Sequence, residues 1–198
     1  MTLDHFRPHV KDIIHPFIAA AARAGLTPNS FTIAAFAVAA GSGAAYFMGS
    51  ILWGTILVAV NAVFDAMDGA LARMQNIQSS RGDFLDHVVD RYADIFIITG
   101  IFAGGFAPWP VGVLALTGVL MSSYLGTQAQ AVGVGRYYGG LLGRADRLVM
   151  ILIAGILDMV FPAHPLGLPF LGWLLVVFGV MGHFTAAQRF AYVWRRMK

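Results

Sequence analysis

The chain has 198 residues, 58% of them hydrophobic, and a mean hydropathy of +0.72, which excludes an ordinary soluble domain and points to a single all-α integral membrane domain. It contains no cysteine, so disulfides, thiol catalysis and Cys-ligated metals are excluded. The basic residues behind the net charge of +3 flank apolar spans and form no dense patch, which fits membrane placement and excludes a nucleic-acid partner.

Residues 1–24 do not read as a spanning segment or as a cleaved signal peptide, since they carry Asp4 and Asp12 and no short apolar core with a cleavage site. Phe6, Val10, Ile13, Ile14, Phe17, Ile18 and Ala21 form a stripe of 3.6-residue period. That pattern predicts an amphipathic helix lying on the membrane surface, kinked or divided at Pro8 and Pro16. Leu26-Thr27-Pro28-Asn29-Ser30 then supplies a cap and a first-turn proline, which mark a helix start.

Six transmembrane helices are expected after this point, at about 30–48, 51–73, 82–104, 110–132, 144–161 and 168–192. The turns at Gly49-Ser50, at 107–110 and at 162–169 contain no Lys or Arg. All thirteen Lys and Arg fall in the N-terminal segment, the 73–81 turn, the 136–147 region, the C-terminus or the adjoining helix ends. This asymmetry places both termini and the polar ends of the second and third spans in the cytoplasm, on the inner face of the cell membrane. Gly41/Ala45, Gly100/Gly104 and Gly135/Gly139/Gly143 have the spacing of close helix packing, and Trp53, Trp109, Trp173 and Trp194 fall near span ends.

The second and third spans hold four carboxylates in otherwise apolar sequence. Asp65 and Asp68 share one helix face, as do Asp86 and Asp90. With a short turn between the spans, both acidic faces meet near the membrane surface, where ionisable groups mark a functional site. Four aspartates make a hard-oxygen site, suited to Mg²⁺ or Mn²⁺ rather than zinc. Gly69 and Gly82 offer surface without side chains, and Arg73 stands one helical turn beyond Gly69, placed to grip a phosphate. No activated Ser, His or Cys nucleophile is evident, which favours a single displacement.

The stretch Asp65-x-x-Asp68-Gly69-x-x-Ala72-Arg73, eight residues, then Gly82-x-x-x-Asp86-x-x-x-Asp90 resembles the signature of the CDP-alcohol phosphotransferase family at every defining position. The resemblance implies an enzyme that transfers a phosphatidyl-type group from a CDP-linked lipid to an alcohol and releases CMP. It implies that Asp65, Asp68, Asp86 and Asp90 are metal ligands and that Asp90 is also the general base. Gly69, Arg73 and Gly82 would hold the CDP moiety, with Asn29 of the Thr-Pro-Asn segment and Ser79 of the turn near the nucleotide. Ser79 reads equally well as a solvated turn serine. The family also implies a membrane-lipid environment and a homodimer.

The acceptor would be chosen outside the signature. Arg144, Arg147 and Arg189 could form a cationic pocket for a phosphorylated alcohol, or could anchor helices at the membrane edge. Ser123-Tyr124 through Gly133, Gly143-Arg144-Ala-Asp146-Arg147 and Gln188-Arg189 resemble the inositol-phosphate-using branch, the archaeal archaetidylinositol phosphate synthases and the bacterial phosphatidylinositol phosphate synthases. In that branch, arginines matching Arg144 and Arg189 bind the inositol phosphate. The chain departs from the bacterial pattern at Gly126, Gln128 and Gln130, where Lys, Arg and Glu are common, so glycerol 3-phosphate stays open as the acceptor. Asn61-x-x-x-Asp65 mimics part of a membrane prenyltransferase motif, but the next aspartate is three residues on. An intramembrane-aspartate cation transporter would leave Gly69, Arg73 and Gly82 unexplained. His87 reads as a packing residue, Asp83 as a helix cap, Asp94 as a partner of Arg91 or a neighbouring helix, and His183 has no sequence explanation.

Overall fold

The computed structural model describes residues 16–137, 139–141, 143–161 and 165–197. Among them the chain is all helical, with six long helices: α1 (Pro28–Phe47), α2 (Ile51–Met74), α3 (Ser80–Ala103), α4 (Trp109–Ala131), α5 (Arg144–Val160) and α6 (Phe170–Trp194). Four of the six starts have a hydrogen-bonded cap. The Thr27 hydroxyl accepts the Ser30 amide ahead of Pro28, Ser79 Oγ accepts the Gly82 amide at 3.1 Å, and Asp146 Oδ2 accepts the Gly143 amide at 3.0 Å. Asp158, near the end of α5, caps α6 by accepting the amides of Phe170 at 2.7 Å and Leu171 at 2.9 Å.

Among the described residues, four helices are long and apolar enough to cross a membrane: α1, α2, α4 and α6. By average composition α3 falls short, because it carries Arg81, Asp83, Asp86, Asp90, Arg91 and Asp94, and α5 has only 17 residues. Residues 16–23 are helical, and Ile18 and Ala21 are buried against Phe31, Met67 and Leu71 of α1 and α2. The first part of the expected interfacial helix, residues 1–15, lies outside the described residues.

Helix α1 packs on α2 and α3, α4 on α6, and α5 on α2 and α6. At the crossing of α1 and α3 the backbones touch: a Cβ on Gly100 would overlap the Gly43 carbonyl, and one on Gly104 the Tyr46 carbonyl. Gly118 and Gly182 play the same part between α4 and α6. The Gly135/Gly139/Gly143 series is a correction. These residues lie in the connection between α4 and α5, where no helix holds them on one face, and Gly135 has φ +86. His183 gains a partner, with Nε2 3.3 Å from the Thr117 hydroxyl of α4.

Candidate active site

Asp65 and Asp68 project from the C-terminal half of α2, and Asp86 and Asp90 from the first half of α3. One carboxylate oxygen from each of Asp65, Asp68 and Asp86 lies within 4.8 Å of the others. Asp86 and Asp90 form a second such group together with His87, whose ring also lies 3.8 Å from Asp86 and 4.0 Å from Asp83. Asp68 and Asp90 are buried, Asp65 and Asp86 half-buried. Oxygen-only donors converging from two helices fit a divalent cation, and the trio Asp65, Asp68 and Asp86 is the set that would hold it.

A cation from the protein already reaches this cluster. Arg144, the first residue of α5, puts one guanidinium nitrogen against Asp65 and 2.7 Å from Asp90 Oδ1. Arg147, one turn further along α5, is buried and donates to buried Asp94 at 2.8 Å. Arg91 lies 3.7 Å from both Asp90 and Asp94. Asp94 therefore pairs both along α3 and across to α5. Buried ion pairs of this kind are costly unless both partners are held, so they fix the register of α5 against α3.

Arg189 of α6 takes a different environment. Its Nε donates to the Gly139 carbonyl at 2.8 Å and its Nη1 to the Ser122 carbonyl at 2.5 Å. A Cβ at Gly126 would fall 2.6 Å from that Nη1, so the glycine leaves room for the guanidinium. Arg147 and Arg189 are close enough for their charges to act on each other, as are Arg144 and Arg147. The three arginines thus form a chain through the bundle, in which each guanidinium engages carboxylates or main-chain carbonyls of the protein.

Of the candidate nucleotide residues, Asn29, Ser79 and Gly82 cluster at helix starts, and Gly69 and Arg73 lie near the end of α2. A Cβ on Gly82 would lie 3.3 Å from Ser79 Oγ and 3.8 Å from Asn29 Oδ1, so the beginnings of α1 and α3 meet there. Arg73 folds back along α2 until its guanidinium lies over Gly69, 3.2 Å from where a Cβ would be. Ser79 serves as a helix cap. Asp83 does not cap α3, because Ser79 takes that role; it pairs with Arg136 of the α4–α5 connection at 3.0 Å.

Arg91 is the partner of Asp94 that the sequence suggested, and it also lies beside Asp90. Two residues at the site escape a reading of the sequence: Thr32 donates to Asp68 at 2.9 Å, and Arg136 reaches Asp83 from 53 residues away. Both contacts depend on the register between elements distant in sequence, which no local spacing encodes.

A model of the CDP-alcohol phosphatidyltransferase family matches residues 25–188, a stretch that contains all of this geometry except Arg189. The chain belongs to that family. Phosphotransfer from a CDP-alcohol is therefore its enzymatic class, and its apolar helices are those of a membrane protein. Among relatives of this phosphatidyltransferase, the archaetidylinositol phosphate synthase of Methanothermobacter thermautotrophicus is 36% identical over 99% of this chain and 96% of its own. The phosphatidylinositol phosphate synthase of Streptomyces avermitilis is 31% identical over 92% of this chain and 78% of its own. The fold is shared with two crystal structures of the Mycobacterium tuberculosis phosphatidylinositol phosphate synthase, both 28% identical and covering 90% of this chain. The structure with CDP-DAG bound has a TM-score of 0.79 over 92% of its chain, and that in complex with manganese and citrate 0.80 over 88%.

Proposed function

We propose that this phosphatidyltransferase moves a phosphatidyl-type group from a CDP-lipid to inositol 1-phosphate, with Mg²⁺ as its metal and CMP as the leaving group. The observation that carries the reading is the contact of the Asp65–Asp68–Asp86 trio with Arg144 of α5. It brings a hard-cation site for a diphosphate next to a guanidinium suited to a phosphate monoester, with Arg147 one turn further along α5 and Arg189 on α6. The curated relatives with inositol phosphate synthase names support the acceptor, and the relatives' CDP-DAG and manganese complexes support the donor and the metal.

In this reading a bound divalent cation would polarise the diphosphate and offset its charge. The acceptor hydroxyl attacks the β-phosphorus, a new P–O bond forms, and the bond from that phosphorus to the oxygen shared with CMP breaks. Asp90 takes the hydroxyl proton. Asn29, Gly69, Arg73, Ser79 and Gly82 hold the CDP moiety. Arg144, released from the carboxylates once they are neutralised, joins Arg147 and Arg189 in holding the acceptor phosphate. Six membrane crossings, an N-terminal helix in the interface, cytoplasmic termini and a homodimer of single-domain chains complete the proposal.

The test is CMP release by purified protein with Mg²⁺ and a CDP-lipid, comparing inositol 1-phosphate, glycerol 3-phosphate, free inositol and serine. Selective release with inositol 1-phosphate is expected. Selective release with glycerol 3-phosphate would keep the chemistry of the aspartates and overturn the acceptor.

A further inference from the structure

Thr32 stands one turn into α1, on the face that meets α2. It is 4% exposed, and its neighbour Phe31 packs on Phe64 of α2 with ring centroids 5.9 Å apart. A threonine hydroxyl inside a helix ordinarily bonds back to the carbonyl four residues earlier. That option is present, with the Pro28 carbonyl 3.2 Å away, yet the shorter contact crosses to the neighbouring helix and reaches Asp68 Oδ2 at 2.9 Å. The hydroxyl has one hydrogen, and the shorter, charge-assisted partner takes the larger share of it.

We propose that Thr32 is a positioning residue for the metal site: its hydroxyl holds the Asp68 carboxylate in the orientation that faces Asp65 and Asp86, and so raises the affinity of that trio for a divalent cation. The inference rests on the reading of the trio as the metal site. The terminal torsion of an aspartate is broad, so an isolated carboxylate on a helix samples many orientations. β-branching narrows the choice of χ1, and in the observed rotamer the buried Thr32 hydroxyl reaches Asp68 from between two packed helices. One lone pair of Asp68 is thereby committed to α1, and the rest stay with the cluster. Outer-shell partners of this kind commonly account for 10–100-fold of metal affinity.

The measurement is a Mn²⁺ titration followed by electron paramagnetic resonance on the purified protein, without CDP-lipid or acceptor. T32V keeps the shape of the side chain and loses the hydroxyl; its Mn²⁺ affinity is expected to fall by about 10–100-fold, while T32S stays within about threefold of the wild type. Melting in EDTA is recorded alongside, because a purely structural role would lower the melting temperature of T32V and leave its Mn²⁺ affinity unchanged. That result overturns the proposal. T32A is the second variant, should T32V not fold, with the same expectations. If the wild type itself takes up no Mn²⁺, or D65N binds it equally well, the metal-site reading falls first and this inference with it.

Discussion

Arg144 is the residue on which the electrostatics of the site turn. Without a bound cation, Asp65, Asp68, Asp86 and Asp90 crowd a region of low dielectric, and the guanidinium reaching Asp65 and Asp90 supplies the nearest positive charge. Removing one partner of a largely buried pair costs about 3–5 kcal/mol, because the other charge is left uncompensated. R144A should therefore melt well below the wild type in EDTA, and excess Mg²⁺ should raise its melting temperature by more than it raises that of the wild type. Equal melting of the two proteins in EDTA would show that Arg144 does not balance the cluster. At this scale the sequence was informative wherever chemistry and spacing lie on one helix: the pairs Asp65/Asp68 and Asp86/Asp90 are legible from period alone. Thr32–Asp68 and Arg136–Asp83 join elements 36 and 53 residues apart, and depend on how one helix sits against another.

Helix ends were legible because their causes are local. Thr27-Pro28 is a cap in the sequence and a cap in the structure, whereas α3 is capped by Ser79 and not by Asp83, the residue expected there. Helix packing was less legible, because small residues at helical spacing carry meaning only inside a helix. Gly100 and Gly104 touch α1, whereas Gly135, Gly139 and Gly143 fall in a connection where the same spacing has no consequence. The contrast gives an element-scale prediction. G100A places a methyl group on the Gly43 backbone and should cost about 1–3 kcal/mol as α1 and α3 are pushed apart. G41A meets only Leu57 Cδ1 at 3.5 Å, an ordinary contact, and should be neutral or stabilising by up to about 1 kcal/mol through the better helix propensity of alanine. Thermal melting in detergent separates the two, and similar losses in both would refute the backbone contact between α1 and α3.

For the molecule in its bilayer, the decisive element is α3, whose mean composition argues against a crossing while its geometry argues for one. Phe84, Val88 and Tyr92 recur every four residues along it and are 72%, 36% and 48% exposed, whereas Asp90 and Asp94 are turned inward to the bundle. A hydropathy average mixes the two faces; lipid would meet only the first. Helix α5 shows the same division, with Ile153 and Ile156 on its surface and Arg147 and Asp158 buried. If both helices cross, residues 48, 109 and 166 lie outside and residue 76 lies inside with the basic segments. The absence of cysteine makes this directly measurable with single-cysteine variants and a membrane-impermeant maleimide. Met48, Trp109 and Leu166 are 74%, 72% and 91% exposed, and Asn76 is exposed in the α2–α3 turn, so each position can be reached by the reagent. M48C, W109C and L166C should label in intact cells, and N76C only after permeabilisation. Trp109 sharing the protection of Asn76 would mean that α3 does not cross. Leu166 doing so while Trp109 labels would mean the same for α5. The first result would carry Arg144, and the second Arg189, to the membrane face opposite the carboxylates of α2 and α3, which both results leave on the side of residue 76.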